Sequence, residues 1–103
     1  MPRGFRAVLA AFAKRPHVTR QRMFSSDNVL TTRGKIFAML VKGKLVTKLP
    51  KDRVDELVQR GIGKRFEPGP GRLMKEWLVV APGRAPWVPL AEEAYRFVGR
   101  GKP

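Results

Sequence analysis

The chain has 103 residues, enough for one domain with a modest core and too few for two, and its 43% hydrophobic content lets it fold. Its 22 Lys or Arg against 8 acids give a net charge of +14, which attracts polyanions and speeds their encounter without specifying one. The absence of cysteine excludes disulfides, thiolate zinc sites and cysteine nucleophiles, and the single histidine, His17, leaves any metal to carboxylates that show no ligand spacing.

Phe5, Val8, Leu9 and Phe12 fall at i, i+3, i+4 and i+7 and predict a first amphipathic helix packed on a core. Lys14 and Arg15 would complement its C-terminal carbonyls, and Pro16 stops it. Arg3 and Arg6 ahead of AVLAAFA imitate a targeting signal, and the Arg-rich, acid-poor start has the character of a mitochondrial presequence. An h-region ending at Ala13 is too short for export, so the segment is read as part of a cytoplasmic domain. No apolar run reaches the roughly 20 residues of a spanning helix, so no membrane partner is expected.

After a lead-in through Met23-Phe24, the short polar run Ser25-Ser26-Asp27-Asn28 reads as a turn. Residues 28–50 then read as three antiparallel strands joined by two-residue turns at Arg33-Gly34 and Lys42-Gly43, where glycine supplies the positive φ. Strict alternation from these turns predicts two faces. Val29, Thr31, Ile36, Ala38, Leu40, Leu45, Thr47 and Leu49 form the face covered by helices, with Ala38 opposite Thr47 and Ile36 opposite Leu49. Leu30, Phe37, Met39, Val41 and Val46 form the other, with Lys35, Lys44 and Lys48 among them.

Pro50 opens a second helix, with Asp52, Asp55 and Glu56 near its start, Val54, Leu57 and Val58 buried, and Gly61 at its stop. Residues 62–67 and 74–80 read as a fourth and a fifth strand joined through Pro68-Gly69-Pro70-Gly71, with Trp77 and Val79 on one side and Leu78 and Val80 on the other. The glycines beside Arg72 imitate a phosphate cradle, but Pro70 removes a backbone donor and no helix follows, so the segment is a hairpin loop. A last helix has Pro89 in its first turn, Leu90, Ala94, Phe97 and Val98 on its buried stripe, Trp87 folded over its start and Gly99 at its close. Residues 99–103 are a short basic tail, leaving 5–98 as the core of a single domain.

The order is helix, three strands, helix, two strands, helix: an α+β chain with a five-stranded antiparallel sheet. Met23-Phe24, Gly34-Lys35-Ile36-Phe37-Ala38 and Lys48-Leu49-Pro50 follow one another as in the N-terminal domain of the TfoX/Sxy family. So do Phe66-Glu67-Pro68-Gly69-Pro70-Gly71-Arg72, Met74-Lys75-Glu76-Trp77 and Glu93-Ala94-Tyr95-Arg96-Phe97-Val98. The chain resembles that domain over about residues 18–98. The resemblance implies a two-layer fold with helices on one side of the sheet, in the secretion-chaperone-like arrangement. It also implies a regulatory role without catalytic residues or a cofactor. The family is named for regulators of natural competence, which carry a second, helical domain, and Ser25-Ser26 stands where its motif usually has two glycines.

A non-enzymatic binding module is therefore expected, acting on nucleic acid or on proteins that handle it. The candidate phosphate contacts are Arg20, Arg22, Arg33, Lys35, Lys42, Lys44 and Lys48, for binding that is weakly sequence-specific and falls with salt; Phe37 could stack on a base, but packing against protein is the expectation for it. Leu30, Phe37, Met39, Val41 and Val46 are the candidate interface for a homodimer or a protein partner. An enzyme would need a concave pocket gathering His17 or an acid beside Ser25 or Tyr95.

Overall fold

The computed structural model describes residues 1–23 and 26–100. Its elements are α1 (Arg3–Phe12), β1 (Val18–Met23), β2 (Ser26–Thr32), β3 (Lys35–Val41), β4 (Lys44–Lys48), α2 (Lys51–Gln59), β5 (Lys64–Gly69), β6 (Arg72–Val80) and α3 (Trp87–Gly99). The sheet is antiparallel and six-stranded, in the order β1-β2-β3-β4-β6-β5.

Five strands were expected, and the extra one is β1, an edge strand. The segment read as a lead-in pairs with β2 from Val18 opposite Thr32 to Met23 opposite Ser26. Ser26, Asp27 and Asn28, read as turn residues, belong to β2, while Phe24 and Ser25 lie outside the described residues.

Each helix starts directly after a proline, at Pro2, Pro50 and Pro86, whose extended backbone turns the chain into the first helical residue. The apolar spacing then decides the buried side. Phe5, Val8 and Phe12 of α1, Val54 and Leu57 of α2, and Trp87, Leu90, Ala91, Ala94 and Val98 of α3 meet in one core. The sheet residues of that core are Leu30, Phe37, Ala38, Leu45, Leu49, Leu78 and Val80. A second, smaller cluster consists of strand residues alone: Val29, Met39 and Val46, with Ile36, Val41, Phe66, Trp77 and Val79 packed around them. The helices thus cover one face of the sheet and leave the other to these side chains.

Both hairpin turns form as the sequence predicts, with Arg33 and Gly34 at φ 53° and 83° and Lys42 and Gly43 at 51° and 78°. The β3–β4 register also matches, Ala38 opposite Thr47 and Leu40 opposite Leu45. Across the three strands β2 to β4, alternation fails at one place. Between β2 and β3 the register steps from Leu30 opposite Ala38 to Thr31 opposite Ile36, so Phe37 is an extra residue with no partner across the strand. A bulge of this kind sends two successive side chains to the same side.

Phe37 and Ala38 both enter the helix-side core, where the Phe37 ring lies 5.1 Å from Phe12 and 5.6 Å from Tyr95. The Thr47 hydroxyl donates to the Phe37 carbonyl at 3.1 Å, giving a partner to a buried acceptor beside the bulge. Several face assignments change as a result. Leu30 and Phe37, expected on the helix-free face, are in the main core, while Val29 and Ile36, expected under the helices, belong to the smaller cluster. Thr31, paired with Ile36 and bonded through its hydroxyl to Thr19 at 2.6 Å, shares that face. Ile36 does not reach Leu49, because the described β3–β4 pairing ends at Ala38 and Thr47.

Candidate functional site

Residues directly opposite one another in antiparallel strands point to the same face, so the pairings trace rows across the sheet. One row on the helix-free face runs Gln21, Val29, Met39, Val46, Val79, Lys64, from one edge strand to the other. Its middle is buried and apolar, and its ends are polar. Two further pairs share the face: Val41 opposite Lys44, and Lys48 opposite Trp77.

This face is concave. Ile36, Met39 and Val41 of β3, Phe66 and Pro68 of β5, and Met74 and Trp77 of β6 line a single open cavity of about 470 Å³. In a flat sheet β3 and β5 would stand about 14 Å apart, with β4 and β6 between them. Twist and the register breaks in the β5–β6 hairpin, between Arg65 and Phe66 and again before Gly69, bend that hairpin over the face. The hairpin loop is the one the breaker residues predict. Gly71 takes φ 77°, and its N–H donates to the Glu67 carboxylate at 2.8 Å.

Apart from the Trp77 indole N–H, none of the seven lining side chains carries a hydrogen-bonding group. The groove therefore selects apolar surface. Met39 and Met74, unbranched and polarisable, can follow the shape of what enters. Trp77 also meets a cation: the Lys48 ammonium stands 5.7 Å from its ring centroid.

The charges divide between the two sides of the sheet. Glu92 of α3 accepts from both terminal nitrogens of Arg15, at 3.0 and 2.7 Å, and Glu93 accepts from Arg53 of α2 in the same forked way, at 2.9 Å twice. Asp55 pairs with Lys51 and with Arg65, and Glu56 with Arg53 and Arg60. The hydrogen bonds from Arg15, aided by the charges of Arg15 and Arg96 and opposed by burial, hold the Glu92 carboxyl below the usual glutamate range. Hydrogen bonds from Lys51 and Arg65 lower that of Asp55 in the same way. Arg15–Glu92 and Arg53–Glu93 hold α3 to the α1–β1 loop and to α2, and Asp55–Arg65 holds α2 to β5, while the other three pairs lie within α2 and its C-cap. Among the described residues, Lys42, Lys44, Lys48 and Lys64 take part in no ion pair.

The seven cations proposed for phosphate contact do not come together. Arg20 stands opposite Leu30, on the helix side of β1, and donates to the Asn28 side chain. Arg22 lies on the same edge strand and is not a free cation. Arg33 occupies the β2–β3 turn, and Lys35 sits opposite Thr32, whose side chain lies 3.9 Å from the position of a Cβ on Gly99 of α3. Only Lys42, Lys44 and Lys48 border the helix-free face. Alternation grouped Lys35 with them, and the bulge puts it on the other side.

Of the proposed interface residues, Met39, Val41 and Val46 are on the face, and Leu30 and Phe37 are not, because of the bulge. Phe66, Pro68, Met74 and Trp77 belong to the site and were not singled out. The pairing of β4 with β6 is what carries them there, and no local signal marks that pairing. Comparison with family models, curated proteins and solved structures returned no match.

The groups weighed for catalysis are separated. Tyr95 packs between Phe12 and Phe37 in the main core. His17 is exposed in the α1–β1 loop, at φ 66°, where its carbonyl accepts from the Arg33 N–H. Ser25 is outside the described residues. Among the described residues no three His, Cys, Asp or Glu side chains are grouped to hold a metal ion. Among the same residues, no helix is long and apolar enough to cross a membrane.

Proposed function

We propose that this chain is a non-enzymatic docking module of regulatory type that captures another protein in the groove on the helix-free face of its sheet. One observation carries the reading: seven apolar side chains from three strands converge on an open concavity that no helix covers. An open, mostly apolar concavity of this volume is the usual form of a binding site. The dispersal of the candidate phosphate contacts favours a protein over a nucleic acid as the occupant.

The family-like blocks over about residues 18–98 support a place beside the TfoX/Sxy N-terminal domains. So does the element order from β2 onward, which fits the secretion-chaperone-like arrangement. On this reading the protein is a cytoplasmic regulator that works by recruitment, without a cofactor.

An environment-sensitive dye tests the central claim. Anilinonaphthalene sulfonate should fluoresce on the native protein, and Ile36→Asn or Val41→Asn should remove most of that signal while circular dichroism stays native. Sedimentation should give an 11.6 kDa species under the same conditions. A native protein that does not bind the dye, or whose binding ignores both substitutions, would falsify the reading.

A further inference from the structure

Resting on the docking reading, we infer that the groove takes an acidic amphipathic helix of a partner protein. The secondary structure of the occupant follows from which groups are left unpaired. A segment that binds as a strand needs an open sheet edge, because its backbone must find N–H and C=O partners. The groove lies on a face, where β3, β4 and β6 have already paired their backbones with neighbours. Apart from the edge strand β5, where Pro68 has no N–H to give, it offers side-chain contact only, and a helix, whose backbone is satisfied internally, can accept that. The length agrees. The β3 lining from Ile36 to Val41 spans about 17 Å, matching about 11 residues of helix, or three turns. A stripe at i, i+3, i+4 and i+7 would place its anchors against Met39, Met74 and Trp77.

The charge of the occupant follows from the rim. Lys44 and Lys48 stand on β4, Lys64 on β5 and Lys42 in the adjoining turn. None of them has an ion pair among the described residues. The nearby Glu67 carboxylate accepts from the Gly71 N–H, and Asp55, Glu56, Glu92 and Glu93 are engaged with cations on the helix side. The rim is therefore cationic in excess, four lysines against the one carboxylate of Glu67, whose charge a backbone N–H does not cancel. A second copy of the chain would bring the same lysines together across a two-fold axis, in a protein of net charge +14. Glutamates beside the apolar stripe of a partner helix would meet them instead. A nucleic acid would satisfy the rim and could stack bases on Phe66 or Trp77, but would leave Ile36, Met39, Val41 and Met74 without apolar partners.

The test is fluorescence anisotropy with a labelled synthetic helix of about 18 residues, leucine on one stripe and glutamate on the opposite face. It should bind at about 1–50 μM. Replacing its glutamates by glutamine should weaken binding about tenfold, as should scrambling the same composition. The sharpest expected result is an exchange of preference: the double variant Lys44→Glu, Lys64→Glu should lose the acidic peptide and gain a lysine version that the native protein ignores. Equal binding of the glutamate and glutamine peptides would overturn the inference and leave the groove, still reported by the dye, intact. Equal binding of the patterned and scrambled peptides would reduce the effect to bulk charge. An oligothymidine of similar length that binds more tightly, and does so unchanged in Val41→Asn, would move the ligand to nucleic acid and away from the groove.

Discussion

Phe37 separates the structure from the simpler alternating sheet more sharply than any other residue. Its ring is fully buried between Phe12 and Tyr95, on the helix side, only because the bulge turns it there. Truncating a phenylalanine in such a place costs about 3–5 kcal/mol, since the lost transfer energy is joined by a cavity that the surrounding rings cannot fill. A domain of this size has a total stability of about 5–15 kcal/mol, so Phe37→Ala should sit near the edge of folding. Its midpoint should fall by at least about 12 °C in a thermal melt followed by circular dichroism. Val41→Ala, at a half-buried position on the groove, should cost about 1 kcal/mol. The dye assay reads the opposite order: below its melting temperature Phe37→Ala should bind the dye as the native protein does, and Val41→Asn should not. If Phe37→Ala costs less than about 1 kcal/mol and abolishes dye binding, Phe37 is on the open face and the bulge does not exist.

Thr47→Val should cost about 1–3 kcal/mol in urea denaturation despite its matched shape, because it leaves the buried Phe37 carbonyl without the hydroxyl that bonds it; a neutral result would mean that this acceptor is satisfied in another way. The lowered Glu92 carboxyl stabilises the fold fully above the ordinary glutamate pKa of about 4.3, and that contribution is lost as pH falls through its lower folded value. Glu92→Gln should therefore cost about 1 kcal/mol or less at neutral pH and make the acid limb of a stability profile shallower, whereas a limb of unchanged slope would remove the Arg15–Glu92 pair from the account.

The sequence is most legible where structure is local. The three helices follow from apolar residues at helical spacing and from the prolines before them. The two β-turns follow from Arg33-Gly34 and Lys42-Gly43. β1 was missed because VTRQRM is an edge strand with most of its described side chains exposed, so alternation has little apolar signal to carry. The bulge was missed because the run from Ile36 to Val41 is apolar at every position and reads equally well with or without an extra residue. A lone threonine on the inward side of β4, with no polar neighbour predicted for it, was the one available hint. The groove needed something no single segment contains. Its β3 half was read from alternation, apart from Ile36, but Phe66, Met74 and Trp77 reach it only through the pairing of β4 with β6.

That non-local pairing also decides which of the cations lie beside the open face. A net charge of +14 suggests a uniformly basic surface, on which any cation is a candidate phosphate contact. The fold is more selective. It engages four described carboxylates, Asp55, Glu56, Glu92 and Glu93, with cations on the helix side, where they brace α2 and tie α3 to α2 and to the α1–β1 loop, and α2 to β5. On the open face, Lys44 stands opposite Val41 and Lys48 beside Trp77, next to seven apolar side chains rather than a polar groove. Apolar surface sets what can be buried there, and the lysine rim sets which sign of charge may accompany it. On the proposed reading a partner that meets only one of these conditions gains little: a polyanion leaves the aliphatic lining wet, and a neutral apolar helix leaves the rim unpaired. Specificity would then come from requiring both in one ligand, and an acidic amphipathic helix is the smallest common structure that supplies them together.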